Sequence, residues 1–286
     1  MRPRMILVAG LGEDSGKTTL ALGIISHLRA RGFNAVGFKP AGATNIWLHP
    51  EVLDLSASKG FLVTWDGLRL AQASGEFDMR IVNPVGGFIL PPYPGGAKAF
   101  GAESILGGRI VLLRITECLR SISTLHLLIP DSLDGAPEGV VELVSRVAER
   151  VKPTPFKTTP SFVADILGEP SSEAADTCLN RLLSTSDVVV VESNSDVAAP
   201  TKMSMNASVV IVAGWGYAYL YEGDVWKKAV ELKMLGGKPW SVKSQEILTL
   251  ARPTKSFEIP VKTGGEDLAE ELEELVNEAS RKLGLD

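Results

Sequence analysis

One stretch restricts the fold more than any other: Met5-Ile-Leu-Val-Ala-Gly10-Leu-Gly-Glu-Asp-Ser-Gly16-Lys17-Thr18-Thr19. An apolar run of strand length empties into a glycine loop ending in Gly-Lys-Thr, and a helical pattern from Leu20 to about Arg31 follows at once. Strand, glycine loop and helix in that order are the setting of a phosphate-binding loop. Backbone N–H groups of the loop and of the helix N-terminus converge on one point and attract an anion there. Gly12, Glu13, Asp14, Ser15, Gly16, Lys17, Thr18 and Thr19 would then wrap the phosphates of ATP, with Lys17 reaching the outer ones and the Thr18 hydroxyl on Mg²⁺. The strict motif wants glycine five positions before Gly16, where Leu11 stands; Gly10 lies six before, so the loop is one residue longer.

Three later positions have the chemistry to complete such a site. Ala35–Phe38 reads as a second strand, broken by Lys39-Pro40, because proline cannot continue the ladder. Ligands of open α/β sheets bind outside the carboxyl ends of the strands, so Lys39 is either a reactive cation at that edge or a solvated surface charge. Asp187-Val-Val-Val-Val191-Glu192 is a strand covered on both faces, as in a parallel sheet. Glu192 at its end suits a metal ion, whose charge offsets the cost of a carboxylate beside a dry core. Asp66 opens a helix from Thr64, its N-cap, to Gly75. Its carboxylate suits either the helix dipole or Mg²⁺.

These elements predict a three-layer α/β fold with a mostly parallel sheet, in one domain spanning residues 1–286. Strands over 108–115 and 124–129 and a helix over 139–151 form a β-β-α insertion within 97–160. Residues 45–63 read as irregular, Asn83–Gly96 as a Pro/Gly-rich loop, Ser244–Ala251 and Ser256–Ile259 as strands, and the C-terminal segment as an amphipathic packing helix marked by Leu268, Leu272, Leu275, Val276, Ala279 and Leu283. His27, His49 and His126 have no partner at ligand spacing and read as structural. Cys118 and Cys178 show no metal spacing, so two reduced core thiols are expected. The apolar run after Arg2 and Arg4 is about six residues, too short for a signal peptide or membrane span. A cytoplasmic protein is expected, without a membrane partner. The net charge of −5 argues against broad nucleic-acid binding.

Taken together, the chain resembles dethiobiotin synthetase and related amidoligase-type phosphate-loop ATPases. The resemblance rests on the lengthened loop from Gly10 to Thr18, on Lys39-Pro40, on Asp66 in Trp65-Asp66-Gly67-Leu68-Arg69-Leu70, on Asn83-Pro84, and on the strand ending in Glu192. It covers residues 4–92 and 172–215. It implies Mg-ATP as cofactor, Lys17 and Lys39 as catalytic cations, Thr18, Asp66 and Glu192 as the metal shell, a small-molecule acceptor and a homodimer. The family follows its glutamate with Gly-Ala-Gly-Gly, where this chain has Ser193-Asn194-Ser195-Asp196, and usually carries a serine after Lys-Pro, where this chain has Ala43 and Thr44. Its Pro-x-x-Ala-Pro-His stretch survives only as Pro91-Pro92. The acceptor is therefore open between a carbamate or carboxylate, as with the family's diaminononanoate, and a hydroxyl. Two other classes compete. One is an ATP-driven switch, against which stands Leu11-Gly12 where such proteins carry an extra lysine. The other is a nucleic-acid 5′-hydroxyl kinase, disfavoured by the acidic balance.

Overall fold

The computed structural model describes residues 3–75, 77–90, 110–234, 237–259 and 272–285. Along the chain lie β1 (Met5–Gly10), α1 (Lys17–Ala30), β2 (Ala35–Phe38), β3 (Ala41–Asn45), α2 (Glu51–Lys59), α3 (Trp65–Ala73), α4 (Met79–Val82), β4 (Val85–Ile89), β5 (Ile110–Cys118), β6 (Ile122–Leu128), α5 (Glu138–Arg150) and β7 (Phe156–Lys157). There follow α6 (Pro160–Ile166), α7 (Glu169–Thr185), β8 (Val188–Glu192), β9 (Val209–Gly214), β10 (Tyr217–Glu222), α8 (Gly223–Lys233), α9 (Ser244–Leu248), β11 (Lys255–Glu258) and α10 (Glu273–Leu283). They divide into two compact units, one of Met1–Pro40, Arg69–Asp78 and Leu179–Asp286, the other of Ala41–Leu68 and Met79–Cys178.

The first unit is built on a six-stranded sheet in the order β11-β10-β9-β1-β8-β2. Its four strands β9, β1, β8 and β2 are parallel, while β10 and β11 add antiparallel at one edge. Every residue of β1, β2, β8 and β9 is buried, which is why these segments read as unbroken apolar runs rather than as alternating ones. Helix α1 buries Leu20, Ala21, Ile24, Ile25 and Leu28 against that sheet and meets α10, which buries Leu275, Val276 and Ala279. Arg281 and Lys282 sit in the last turn of α10, where cations suit the dipole, and Gly284 closes it in the left-handed conformation. Leu268 lies outside the described residues.

The second unit carries its own five-stranded mixed sheet, β3-β4-β5-β6-β7. Val52 and Leu53 of α2 and Val144 and Val147 of α5 pack with Phe88, Val111 and Leu112 in one cluster; Val163 of α6 joins Val85, Ile110, Leu113 and Leu127 in another. The architecture is thus α/β with two mixed sheets, and the expected β-β-α segment belongs to a second sheet rather than standing as an appendage to the first. The β-β-α pattern is present as β5, β6 and α5, beside strands that composition disguised. Short β3 (Ala-Gly-Ala-Thr-Asn) and β4 (Val-Gly-Gly-Phe-Ile) are rich in small residues and take their conformation from pairing with each other. Helix α2 lies where no sustained period was visible; it is only nine residues long and ends at Gly60 with φ +75°. Ser244–Leu248 is helical, capped by the Glu246 carboxylate accepting from the Lys243 N–H at 3.0 Å, and not a strand. Among the described residues no helix is long and apolar enough to cross a membrane.

Cys118 and Cys178 form a disulfide between the end of β5 and α7. This overturns the expectation of two free thiols. Sixty residues separate the two cysteines, and that distance hides a contact made through the sheet. Nearby, His126 is fully buried: its Nε2 accepts from the Leu62 N–H at 3.4 Å, so the proton sits on Nδ1, which donates to the Pro153 carbonyl at 3.2 Å. Burial and the Arg114 guanidinium push its pKa down to about 4, so it is a neutral structural imidazole at neutral pH.

Candidate functional site

The glycine loop joins β1 to α1 within the first unit. Gly10 stands where a side chain would collide with its own loop: a Cβ there would lie 2.5 Å from Ser15 Oγ and 2.6 Å from Lys17 Cδ. Gly16, with φ +91°, takes the left-handed turn that starts α1. The Lys17 side chain folds back over the loop, its ammonium donating to the Gly12 carbonyl at 2.5 Å and to Ser15 Oγ at 3.4 Å. Ser15 Oγ in turn donates to the same carbonyl at 3.0 Å. Burial lowers the Lys17 pKa; Lys39 adds to the lowering, while Glu192 opposes it most and the loop acids Asp14 and Glu13 less. The Lys17 ammonium is thus buried at the N-terminus of α1.

Glu192 draws the other residues together. Parallel pairing of β1 with β8 sets Val8 opposite Glu192, which brings the carboxylate level with the start of the loop. Its Oε1 accepts from Thr18 Oγ1 at 2.7 Å and from Lys39 Nζ at 2.8 Å. The carboxylate is fully buried, and its second oxygen, Oε2, has no hydrogen-bond partner among the described residues. An uncompensated buried acceptor of this kind costs about 1–3 kcal/mol, more when charged. Lys39, placed by β2 at the same edge of the sheet, is 8 % exposed and ion-paired, not a solvated surface charge.

This arrangement suits a hard divalent cation. Mg²⁺ takes near-octahedral oxygen ligands at about 2.1 Å, which sets neighbouring ligand oxygens about 3 Å apart, and it relies on few protein ligands plus phosphate and water. The Thr18 hydroxyl and Glu192 Oε1 are spaced close to that, with Oε2 beside them still to be satisfied. No group of three or more His, Cys, Asp or Glu side chains forms a self-sufficient metal cage among the described residues. Asp66, the third expected ligand, stands in the first turn of α3 within the second unit, behind Thr64, whose Oγ1 accepts from the Gly67 N–H at 3.2 Å. The cluster built by the first unit therefore comprises Lys17, Thr18, Lys39 and Glu192.

Leu11, the apparent defect of the motif, has a structural use that the sequence did not disclose. Its N–H donates to the Ala213 carbonyl at the end of β9 at 3.1 Å, and its carbonyl accepts from the Gln245 side chain at 2.9 Å. The extra residue ties the loop to the neighbouring strand and to α9. Beyond Glu192, Ser195 has φ +41° in a loop tied down by the Asp196–Lys243 ion pair at 3.0 Å and by the Ser244 N–H donating to the Asp196 carbonyl at 2.7 Å. No protein-family model matches the chain, and no curated protein matches it.

Proposed function

We propose that the protein is a Mg-ATP-dependent phosphoryl-transfer enzyme similar to dethiobiotin synthetase, acting on a small-molecule acceptor. One observation carries the reading: a buried carboxylate bonded at once to the hydroxyl after the loop lysine and to a second lysine, with one oxygen unpartnered among the described residues. In this proposal the loop amides from Gly12 to Thr19 and Lys17 bind the triphosphate. Thr18 and Glu192 hold Mg²⁺, with Asp66 as a further ligand by the same resemblance. The ion would supply charge neutralisation across the outer phosphates. In this proposal Lys39, ion-paired to Glu192, neutralises the transferring phosphoryl group. An acceptor oxygen forms the new bond to the γ-phosphorus as the bond to the β-phosphate oxygen breaks, and ADP leaves with the electron pair. Such a transfer needs positioning and electrostatic stabilisation more than covalent help.

The same reading proposes a homodimer and a cytoplasmic setting, where ATP and Mg²⁺ are abundant. The Cys118–Cys178 disulfide bears against that setting, because structural disulfides persist chiefly in oxidising compartments. A second reading, an ATP-driven switch, is favoured by the strained and strapped Ser193–Asp196 loop directly after Glu192. Phosphate release with and without candidate acceptors separates the two: diaminononanoate with bicarbonate should raise it for a ligase of the resembled kind. Replacing Lys17 by Ala should cut ATP turnover about 10²–10³-fold, the loss typical of one oxyanion donor. Turnover and ATP binding that survive Lys17→Ala sink both readings.

A further inference from the structure

Strand β1 has two neighbours, and they end differently. On one flank β8, and β2 beyond it, present Glu192 and Lys39. On the other flank β9 ends at Gly214 and turns through Trp215-Gly216 into β10, with Gly214 paired to Tyr217. A triphosphate is a chain with two distinguishable ends. If its outer phosphate lies by Glu192 and Lys39, its nucleoside end is left to the β9 flank.

Trp215 waits there. Its side is pressed to the loop: ring carbons Cη2 and Cζ2 lie 3.5 and 3.6 Å from the point a Cβ on Gly12 would occupy. Yet the residue is 65 % exposed. The residue before it is closely packed: a Cβ on Gly214 would stand 3.3 Å from both Leu11 Cδ1 and Tyr219 Cε2, and the Leu11 N–H is bonded to the Ala213 carbonyl. A scattered surface aromatic needs no explanation. An indole anchored against a phosphate loop, with most of its surface in water, has a specific use.

We propose that Trp215 is the stacking platform for the base of the bound nucleotide, an inference that rests on the phosphate-loop reading above. Stacking on an aromatic ring needs only the π-face that every base possesses. Trp215 accordingly strengthens binding of the nucleoside part and contributes nothing to the phosphates.

Calorimetric titration of the full chain with Mg-ATP and with Mg-tripolyphosphate, which has no base, tests this. Trp215→Ala should weaken ATP roughly tenfold, leave tripolyphosphate within about twofold, and be largely rescued by Trp215→Phe. Equal losses for both ligands would show that the ring merely braces the loop, and no loss for either would show that it does neither; both overturn the inference. A wild-type chain that binds neither ligand fails earlier, at the phosphate-loop reading itself.

Discussion

Each unit buries a cation, and the two are treated differently. In the second unit Arg114 is 1 % exposed, its terminal nitrogens donate to the main-chain carbonyls of Leu62 (2.8 Å) and Asn83, and its Cζ lies over the Phe61 ring, 5.8 Å from the ring centroid. His126 beside it uses both ring nitrogens on main-chain groups. This is polar material spent on joining loops to a sheet. In the first unit Lys39 and Thr18 converge on a single carboxylate oxygen and leave its twin without a partner among the described residues. Polar groups that reach main-chain carbonyls join parts of the fold; the Glu192 cluster instead gathers side chains beside a loop rich in N–H donors and stays open at one carboxylate oxygen, and we read it as part of the proposed site. That contrast separates scaffold from site more sharply than burial, since both sets are buried.

The comparison predicts where stability resides. The largest effect should come from the disulfide, which closes a long loop inside the second unit. By the chain-entropy relation a loop of that length contributes about 4 kcal/mol. Reduction, or Cys118→Ser with Cys178→Ser, should lower the denaturant midpoint accordingly. If the midpoint does not move, β5 and α7 are held by packing alone.

His126 comes next, on the order of 3 kcal/mol. Its folded pKa of about 4 lies below the ordinary 6.5, so the unfolded chain binds the extra proton first. The contribution is complete above pH 6.5 and is lost as pH falls toward 4. Unfolding curves between pH 7 and 4.5 should fall more steeply for the wild type than for His126→Gln. Parallel curves would mean that the imidazole is solvated and not held by the Leu62 and Pro153 main chain.

How much of this was legible beforehand follows the same division. The glycine loop and the strands β1, β2 and β8, with Lys39 and Glu192 at their ends, could be read because continuous apolar runs and Gly-Lys-Thr are local signals. Asp66 in the first turn of α3 suits the helix dipole as well as a metal ion, so its position alone does not decide between them and its ligand role is a proposal. The second unit was largely illegible. Glycine-rich β3 and β4 have no strand composition, α2 is too short to show a period, and Cys118 finds Cys178 only through tertiary contact. Strand β10, Tyr-Ala-Tyr-Leu-Tyr-Glu, is short and takes its place through antiparallel pairing with β9.

The smallest expected change is the most telling. Replacing a buried ion pair by neutral groups of similar volume is often neutral or stabilising, by about 1–4 kcal/mol. The double variant Lys39→Met with Glu192→Gln should therefore unfold within about 1 kcal/mol of the wild type, or later, because it removes a desolvated charge whose second oxygen has no partner among the described residues. Metal-dependent ATP turnover should disappear in the same protein. A midpoint lowered by more than about 3 kcal/mol would instead place Lys39 and Glu192 among the fold's own fasteners. The open network would then be scaffold like Arg114, and the distinction between the two units would fall with it.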